Sequence, residues 1–96
     1  MNKLQPNERV LTGNWLVQAG HARRDATCER IEWLTAHQLR KIADSPQWGA
    51  WKTLYRDLDD GRYWERTYPQ SEMQGGGPPQ LRHLTIDEAK QKYGTF

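Results

Sequence analysis

Residues 61–81 constrain the fold of this chain more than any other segment, because an aromatic and charged stretch there runs into a loop of three glycines and two prolines. Glycines permit positive φ angles and close approach of the backbone to other groups. Paired prolines favour an extended chain and remove two backbone donors. The loop at 75–79 is therefore interpreted in one of two ways. It is a flexible connector or, as the prolines favour, a shaped loop that packs on a tryptophan or offers its amides to a partner.

Before this loop, the sequence predicts a β-hairpin. Two aromatic stretches, 51–57 and 62–68, flank a turn at 58–61 that ends in Asp-Gly. That pair supplies the positive φ angles of tight hairpin turns, and the turn sets Tyr55 opposite Trp64. Side chains alternate between the two faces of a strand, so four rings then share one face. These rings are Trp51, Tyr55, Trp64 and Tyr68.

The four rings allow two interpretations. In the first they form the core, since the chain is only 35% apolar and a large ring buries about 150–250 Å². In the second, one or two rings stay exposed and bind a partner, as tryptophan and tyrosine often do at interfaces. Both interpretations hold if the rings at one end are buried and those at the other end are exposed.

Helices are predicted on both sides of the hairpin in the sequence. Asp25 is a suitable N-cap for a helix over about 25–36, in which apolar residues recur every three positions. Nearer the C-terminus, Thr85 and Glu88 have the spacing of a capping box, which predicts a second helix. A further strand is predicted over about 38–43.

Together these elements predict a small single α+β domain over residues 1–96. An antiparallel sheet of three or more strands, a meander with the Asp-Gly hairpin, packs in it with about two helices. Residues 1–8 are predicted to form a loose leader, and residues 69–84 a loop rich in glycine and proline. The thin aliphatic core predicts modest stability.

Charge and cysteine content narrow the range of partners and compartments. The formal net charge of +2 is too small to imply a nucleic-acid partner. The single cysteine, Cys28, excludes an intrachain disulfide and fits a reducing compartment. The chain starts without the apolar run of a signal peptide, and no segment approaches the ~20 apolar residues of a membrane helix. The sequence therefore predicts a cytoplasmic protein without a membrane partner.

No catalytic or cofactor site can be assembled from the sequence. Four side chains could bind zinc in principle: Cys28, His21, His37 and His83. Their spacings match no short ligand pair. Glu65 and Glu72 are the carboxylates nearest to the glycine loop, and salt bridges or polar contacts to a partner explain them better than a catalytic pair does. We therefore predict a protein without metal, cofactor or enzymatic activity.

The segment at 51–81 resembles the immunity protein 27 family of bacterial toxin–antitoxin systems. That family shows a similar succession of features, which here consists of Trp51, Leu54-Tyr55-Arg56, an Asp-Gly turn, Trp64-Glu65, a Tyr-Pro pair and the Gly-Gly-Gly-Pro-Pro loop. The resemblance extends over about residues 25–93. It implies a non-enzymatic immunity protein that binds the C-terminal domain of a cognate bacterial toxin and neutralises it by direct contact.

Contact with a toxin is expected to involve aromatic and arginine side chains, which dominate the binding energy of many interfaces. On residue type, the predicted partner-binding residues lie in the second hairpin strand and the glycine loop. They are Arg62, Tyr63, Trp64, Glu65, Arg66, Tyr68, Glu72, Gly75, Gly76 and Gly77. An alternative function is a single-stranded nucleic-acid binding module, in which exposed rings stack on bases. The low net charge argues against this alternative.

Overall fold

Two helices and seven strands make up the part of the chain that this computed structural model describes, residues 2–71 and 76–96. In chain order, the elements are β1 (Val10–Thr12), β2 (Trp15–Gln18), β3 (His21–Arg24), α1 (Ala26–His37), β4 (Leu39–Ser45), β5 (Gly49–Asp57), β6 (Tyr63–Thr67), β7 (Gln80–Leu84) and α2 (Ile86–Tyr93). The predicted α+β class is confirmed. Two residues of the predicted site, Glu72 and Gly75, lie outside the described residues.

Five strands form one antiparallel sheet in the order β1-β7-β6-β5-β4, and β2 and β3 form a separate two-stranded hairpin. The predicted turn joins β5 to β6, with Gly61 at a φ of 79° and Tyr55 opposite Trp64. The hairpin prediction is therefore confirmed. The strands differ from prediction at their ends, because β5 already begins at Gly49 and β4 continues to Ser45.

Both helices begin at the predicted caps. The Oδ1 atom of Asp25 accepts the N–H of Cys28 at 2.8 Å, and α1 starts at the next residue, Ala26. Thr85 and Glu88 form a complete capping box before α2, with side chain to backbone bonds of 3.0 and 3.1 Å. These bonds satisfy donors that the first turn of a helix otherwise leaves without a partner.

The helices cover opposite faces of the large sheet. Neighbouring residues of a strand point to opposite faces, so Leu54 and Tyr55 belong to different hydrophobic clusters. The first cluster lies under α1 and contains Leu4, Ile31, Leu34, Leu39, Tyr55, Trp64 and Leu81. The second lies under α2 and contains Leu54, Leu84, Ala89 and Tyr93. The sheet is therefore buried on both faces, and the aromatic face supplies only part of the core.

The first described residues pack against the domain, so the prediction of a loose leader over residues 1–8 is wrong for them. Leu4 is 7% exposed, and its N–H donates to Oε1 of Gln38 at 3.0 Å. Arg62, far along the chain, donates to the carbonyl oxygen of Glu8 at 2.8 Å. Contacts between residues so distant in sequence leave no local pattern, and the polar composition of the segment indicated the wrong outcome.

An ion pair that fixes this segment gives a first testable prediction. Arg30 donates two hydrogen bonds of 2.7 Å to Glu8, and they hold the pKa of that carboxyl below its usual value of 4.5. A carboxyl with a depressed pKa stabilises the fold above its unfolded-state pKa and loses this contribution as the pH falls through its folded-state pKa. Glu8→Gln should therefore lower the free energy of unfolding by about 1 kcal/mol near neutral pH.

Urea unfolding of the wild type and Glu8→Gln measures this effect. The free energies of unfolding of the two proteins should differ near pH 7 and converge near pH 2, where the carboxyl of Glu8 is protonated and, like the glutamine, uncharged. A difference that is equally large at both pH values would show that the glutamine disturbs packing instead of removing an ion pair.

Candidate functional site

Exposed aromatic rings gather at one end of the large sheet, where β5 begins and β6 ends. Trp48, in the turn between β4 and β5, is 52% exposed, and Trp51 is 50% exposed. The ring of Tyr68 meets that of Trp51 edge to face, with centroids 5.6 Å apart. We call this surface the aromatic end and define it as the exposed Trp48 and Trp51, the half-buried Tyr68 and the buried loop residues 76–79.

At the opposite end of the hairpin the rings are buried. Trp64 is fully buried and Tyr55 is 6% exposed, both in the first cluster. The structure thus combines the two interpretations of the aromatic face, with core rings at one end and exposed rings at the other. Trp64, which the sequence suggested as a partner-binding residue, has no exposed surface to offer a partner.

The glycine–proline loop packs on the ring of Trp51 at the aromatic end. Gly76 has a φ of 88°, and a Cβ atom there would lie 3.0 Å from Cζ3 of Trp51, so the backbone rests directly against the indole. The carbonyl oxygen of Pro79 accepts the N–H of Gly13 at 2.9 Å. These contacts favour the shaped loop over the flexible connector. The predicted loop at 69–84 is too long, because β7 begins within that range.

Two glycines let this loop approach the rest of the domain closely. Gly77 has a φ of 71°, and a Cβ atom there would collide with the carbonyl oxygen of Gln70. At Gly13, a Cβ atom would lie 2.6 Å from the Sγ atom of Cys28, a contact that no real side chain tolerates. The loop is therefore held between the end of β6, the β1–β2 connection and the start of α1.

Arg66 supports the rings of the aromatic end from inside the domain. It donates to the hydroxyl groups of Tyr55 and Thr53, both at 3.2 Å. The guanidinium carbon lies 5.7 Å from the ring centroid of Tyr55 and 5.4 Å from that of Tyr68. Cation–π contacts of this kind stabilise by about 0.5–1 kcal/mol when partly exposed. Arg66 thus links the buried ring of Tyr55 to the half-buried ring of Tyr68.

Two other predicted residues lie away from the aromatic end. Arg62 binds Asp60 at 2.6 Å, and its guanidinium carbon is 4.9 Å from the ring centroid of Trp64. Tyr63 is half-buried and contacts Phe96, with ring centroids 5.3 Å apart. Both side chains make internal contacts near the start of β6, and the fold does not bring them together with the glycine loop.

A groove of about 620 Å³ opens beside the aromatic end, and Glu65 lines it although only 1% of this residue is exposed. The Glu65 carboxylate accepts the hydroxyl of Tyr93 at 2.8 Å and faces Nζ of Lys92 at 3.3 Å and Nη2 of Arg82 at 3.6 Å. Burial, followed by the hydrogen bond to Glu65, raises the pKa of Tyr93. The phenol therefore keeps its proton, and its O–H donates a hydrogen bond to the carboxylate.

One known protein family matches this chain. The model of that family, described as immunity protein 27, covers residues 17–85 of the 96. The chain belongs to the immunity protein 27 family. This confirms the resemblance found in the sequence. Neither the curated proteins nor the solved structures contain a match to the chain.

The family match of this immunity protein 27 chain does not include every part of its fold. The matched range contains α1 and the five strands β3 to β7, and with them all residues of the aromatic end. It leaves out β1 and α2. Leu4 and Tyr93, which complete the two clusters, therefore come from outside the match.

Sequence reasoning missed four residues of this immunity protein 27 surface: Trp48, Lys52, Arg82 and Lys92. A signal for Trp48 was available, because it follows Pro46 in a short polar stretch typical of a turn, where a large ring tends to stay exposed. The three cations had no such signal. They lie on β5, β7 and α2, and only the tertiary structure gathers them beside Glu65.

The described residues of this immunity protein 27 chain contain neither a cluster of metal ligands nor a membrane-spanning helix. Within residues 2–71 and 76–96, no group of three or more His, Cys, Asp or Glu side chains is placed to hold a metal ion. The helices in those ranges are too short and too polar to cross a membrane. What the described surface does present is a set of rings, backed by the loop residues 76–79, and a groove with several charged groups.

Proposed function

We propose that this immunity protein 27 chain binds the C-terminal domain of a cognate bacterial toxin in the cytoplasm and neutralises it by direct contact, without catalysing a reaction. We further propose the aromatic end as the contact surface. The observation that supports this surface most is the exposure of Trp48 and Trp51, each about half exposed at the same end of the sheet. Tryptophan is enriched among the residues that dominate binding energy at protein interfaces.

Neutralising a lethal toxin requires tight binding, with a Kd of about 1 nM or below, equivalent to about −12 kcal/mol. A contact of about 800 Å² per partner suffices when a few large rings become fully buried in it. The aromatic end offers two half-exposed indoles and a loop that Gly76 and Pro79 already hold in place. A surface ordered in advance loses less conformational entropy on binding.

This proposal sorts the partner-binding residues predicted from the sequence. It keeps the half-buried Tyr68 as a contact and Arg66 as its support, and it assigns the buried Gly76 and Gly77 to the packing of the loop. It assigns Trp64 to stability, since that ring lies in the core.

Capture and rescue together test the proposed function. The tagged protein should recover one toxin from a lysate of the source bacterium, held through its C-terminal domain and identified by mass spectrometry. Coexpression of that toxin domain with the immunity protein should then restore growth of a host that the toxin domain alone kills. Binding without rescue would contradict neutralisation, and recovery of no toxin would contradict the function as a whole.

Substitution of one exposed ring tests the proposed surface. Trp48→Ala should weaken binding of the captured toxin domain about thirtyfold, because an exposed indole at the centre of a contact contributes about 2 kcal/mol. The matched control is Phe96→Ala, which removes a ring that is 45% exposed but lies near the start of β6. Its Kd should stay within about twofold of wild type.

Calorimetric titration gives both Kd values, and circular dichroism confirms that both variants are folded. Equal losses of affinity in the two variants, or none in either, would contradict the aromatic end as the contact surface while leaving the function itself intact.

A further inference from the structure

We propose that the groove beside the aromatic end receives an acidic side chain of the toxin, an aspartate or glutamate carried on a loop next to an apolar residue. This inference rests on the proposed function and adds the chemistry of the group that is recognised. Three observations carry it: the charges that line the groove, the way Glu65 orders them, and the indoles at its rim.

The groove is positively charged. Its described lining contains three cationic side chains, Lys52, Arg82 and Lys92, against one carboxylate, Glu65. Two positive charges are therefore in excess inside a concave surface, where low-dielectric walls strengthen the field. A partner group of negative charge is the complement of such a surface.

Glu65 holds two of these cations in position and leaves both of them partly exposed. One of its oxygens accepts the Tyr93 hydroxyl and the other faces both Lys92 and Arg82, so the carboxylate is fully engaged. The cationic side chains remain 39% and 44% exposed, whereas that of Glu65 is 2% exposed. The buried anion thus holds the cations in position from below, and their exposed sides face the groove.

Lys52 is the cation with the most capacity for a new ion pair. Among the described residues, no carboxylate lies within ion-pair distance of its ammonium group, which instead stands 5.7 Å from the ring centroid of Trp48. An arriving carboxylate would find this cation beside an apolar wall. Ion pairs that are shielded from water by rings contribute more than exposed ones.

The shape favours a protein loop over a nucleic-acid strand. A volume of about 620 Å³ lies within the range of ligand pockets, about 300–1,000 Å³, and accommodates a few side chains. Binding of a nucleic-acid strand needs a positive track that follows successive phosphates. Here two of the three cations converge on one carboxylate in a single groove, and the net charge of the chain is only +2.

Charge reversal at Lys52 tests the proposal with the captured toxin domain. Lys52→Glu should raise the Kd at least about tenfold and slow association, because it places a negative charge where the toxin carries one. Lys52→Met, which keeps the aliphatic stem, should have an intermediate effect. The matched control is Lys90→Glu, the same charge change at an exposed site on α2 that does not line the groove; its Kd should change less than about threefold.

The outcomes separate this inference from the proposed function. Tight binding by wild type and by Lys52→Glu alike would overturn the acidic contact and leave toxin binding in place. Equal weakening by Lys52→Glu and Lys90→Glu would show a general charge effect and would also overturn it. Failure of the wild type to bind any toxin domain would overturn the proposed function.

A second experiment requires no toxin. In nuclear magnetic resonance titrations with a blocked tetraglutamate peptide, the indole N–H of Trp48 and the amide of Lys52 should shift in wild type but not in Lys52→Glu. A blocked tetralysine peptide should shift neither signal. Absence of shifts with tetraglutamate would overturn the proposal that the groove binds acidic side chains. Larger shifts at the same signals with an oligothymidylate would overturn the proposal of a protein loop as the occupant and would indicate single-stranded nucleic acid instead.

Discussion

Trp64→Ala is expected to lower the free energy of unfolding by about 3–5 kcal/mol, the usual cost of deleting a fully buried tryptophan. Trp64 is completely buried in the first cluster, and the guanidinium group of Arg62 stacks over its ring. The substitution removes both contacts and leaves a cavity in the first cluster. Domains of this kind have only about 5–15 kcal/mol of stability, so at the lower end of that range the loss would unfold a large share of the molecules.

Urea unfolding followed by circular dichroism measures this loss, with Trp48→Ala as the control. Trp48 is the same residue type but 52% exposed, so its removal should lower the free energy of unfolding by less than about 1 kcal/mol. Trp48→Ala should bind the toxin more weakly with the fold intact, and Trp64→Ala should lose binding only to the extent that it unfolds. Similar unfolding midpoints for the two variants would contradict the placement of Trp64 in the core.

Gly77→Ala is expected to have the second largest effect, a loss of about 2–5 kcal/mol in the free energy of unfolding. A non-glycine residue in the left-handed region costs about 1–2 kcal/mol, and Gly77 has a φ of 71°. The added Cβ atom would also collide with the carbonyl oxygen of Gln70, and such overpacking costs about a further 1–3 kcal/mol. To relieve the collision, the loop has to move away from β6 and therefore from Trp51.

Gly20→Ala separates the two contributions to that loss. Gly20 has a φ of 80°, but a Cβ atom there meets nothing within 4 Å, so this variant carries the conformational cost without the collision. Thermal unfolding should show a clearly smaller loss for Gly20→Ala than for Gly77→Ala. In addition, only Gly77→Ala should alter the near-ultraviolet circular dichroism of the tryptophans. Equal losses with unchanged spectra would show that the loop does not depend on the close approach at Gly77.

The sequence predicted those parts of the fold that depend on neighbouring residues. The Asp60-Gly61 turn set the register of β5 and β6, because the turn type fixes which residues face each other. Asp25 and Thr85 marked both helix starts, because a capping side chain binds a backbone donor only a few residues away. The family signature lies in the same segment, and its local pattern made it recognisable.

Contacts between distant segments were not predictable in the same way. The burial of Leu4 depends on Gln38, and the role of Arg62 as an internal tie depends on Glu8. Glu65 illustrates the limit for the candidate site: the sequence marked it as a carboxylate in a strand, but its burial follows from α2, which brings Tyr93 and Lys92 over it. Partner contact by Tyr68 stays a prediction, whereas Gly76 and Gly77 are buried and pack the loop against the domain.

The pairing of β1 with β7 has a consequence for how the protein is made. Val10 lies opposite Arg82, so the ribosome completes the partner strand of β1 about 4–14 s after β1 itself at typical rates of synthesis. The first cluster also needs Leu81, and the loop on Trp51 directly precedes β7. A nascent chain therefore lacks both the finished core and the finished aromatic end. Under the proposed function, a cell is protected by molecules completed before the toxin arrives, not by those still on the ribosome.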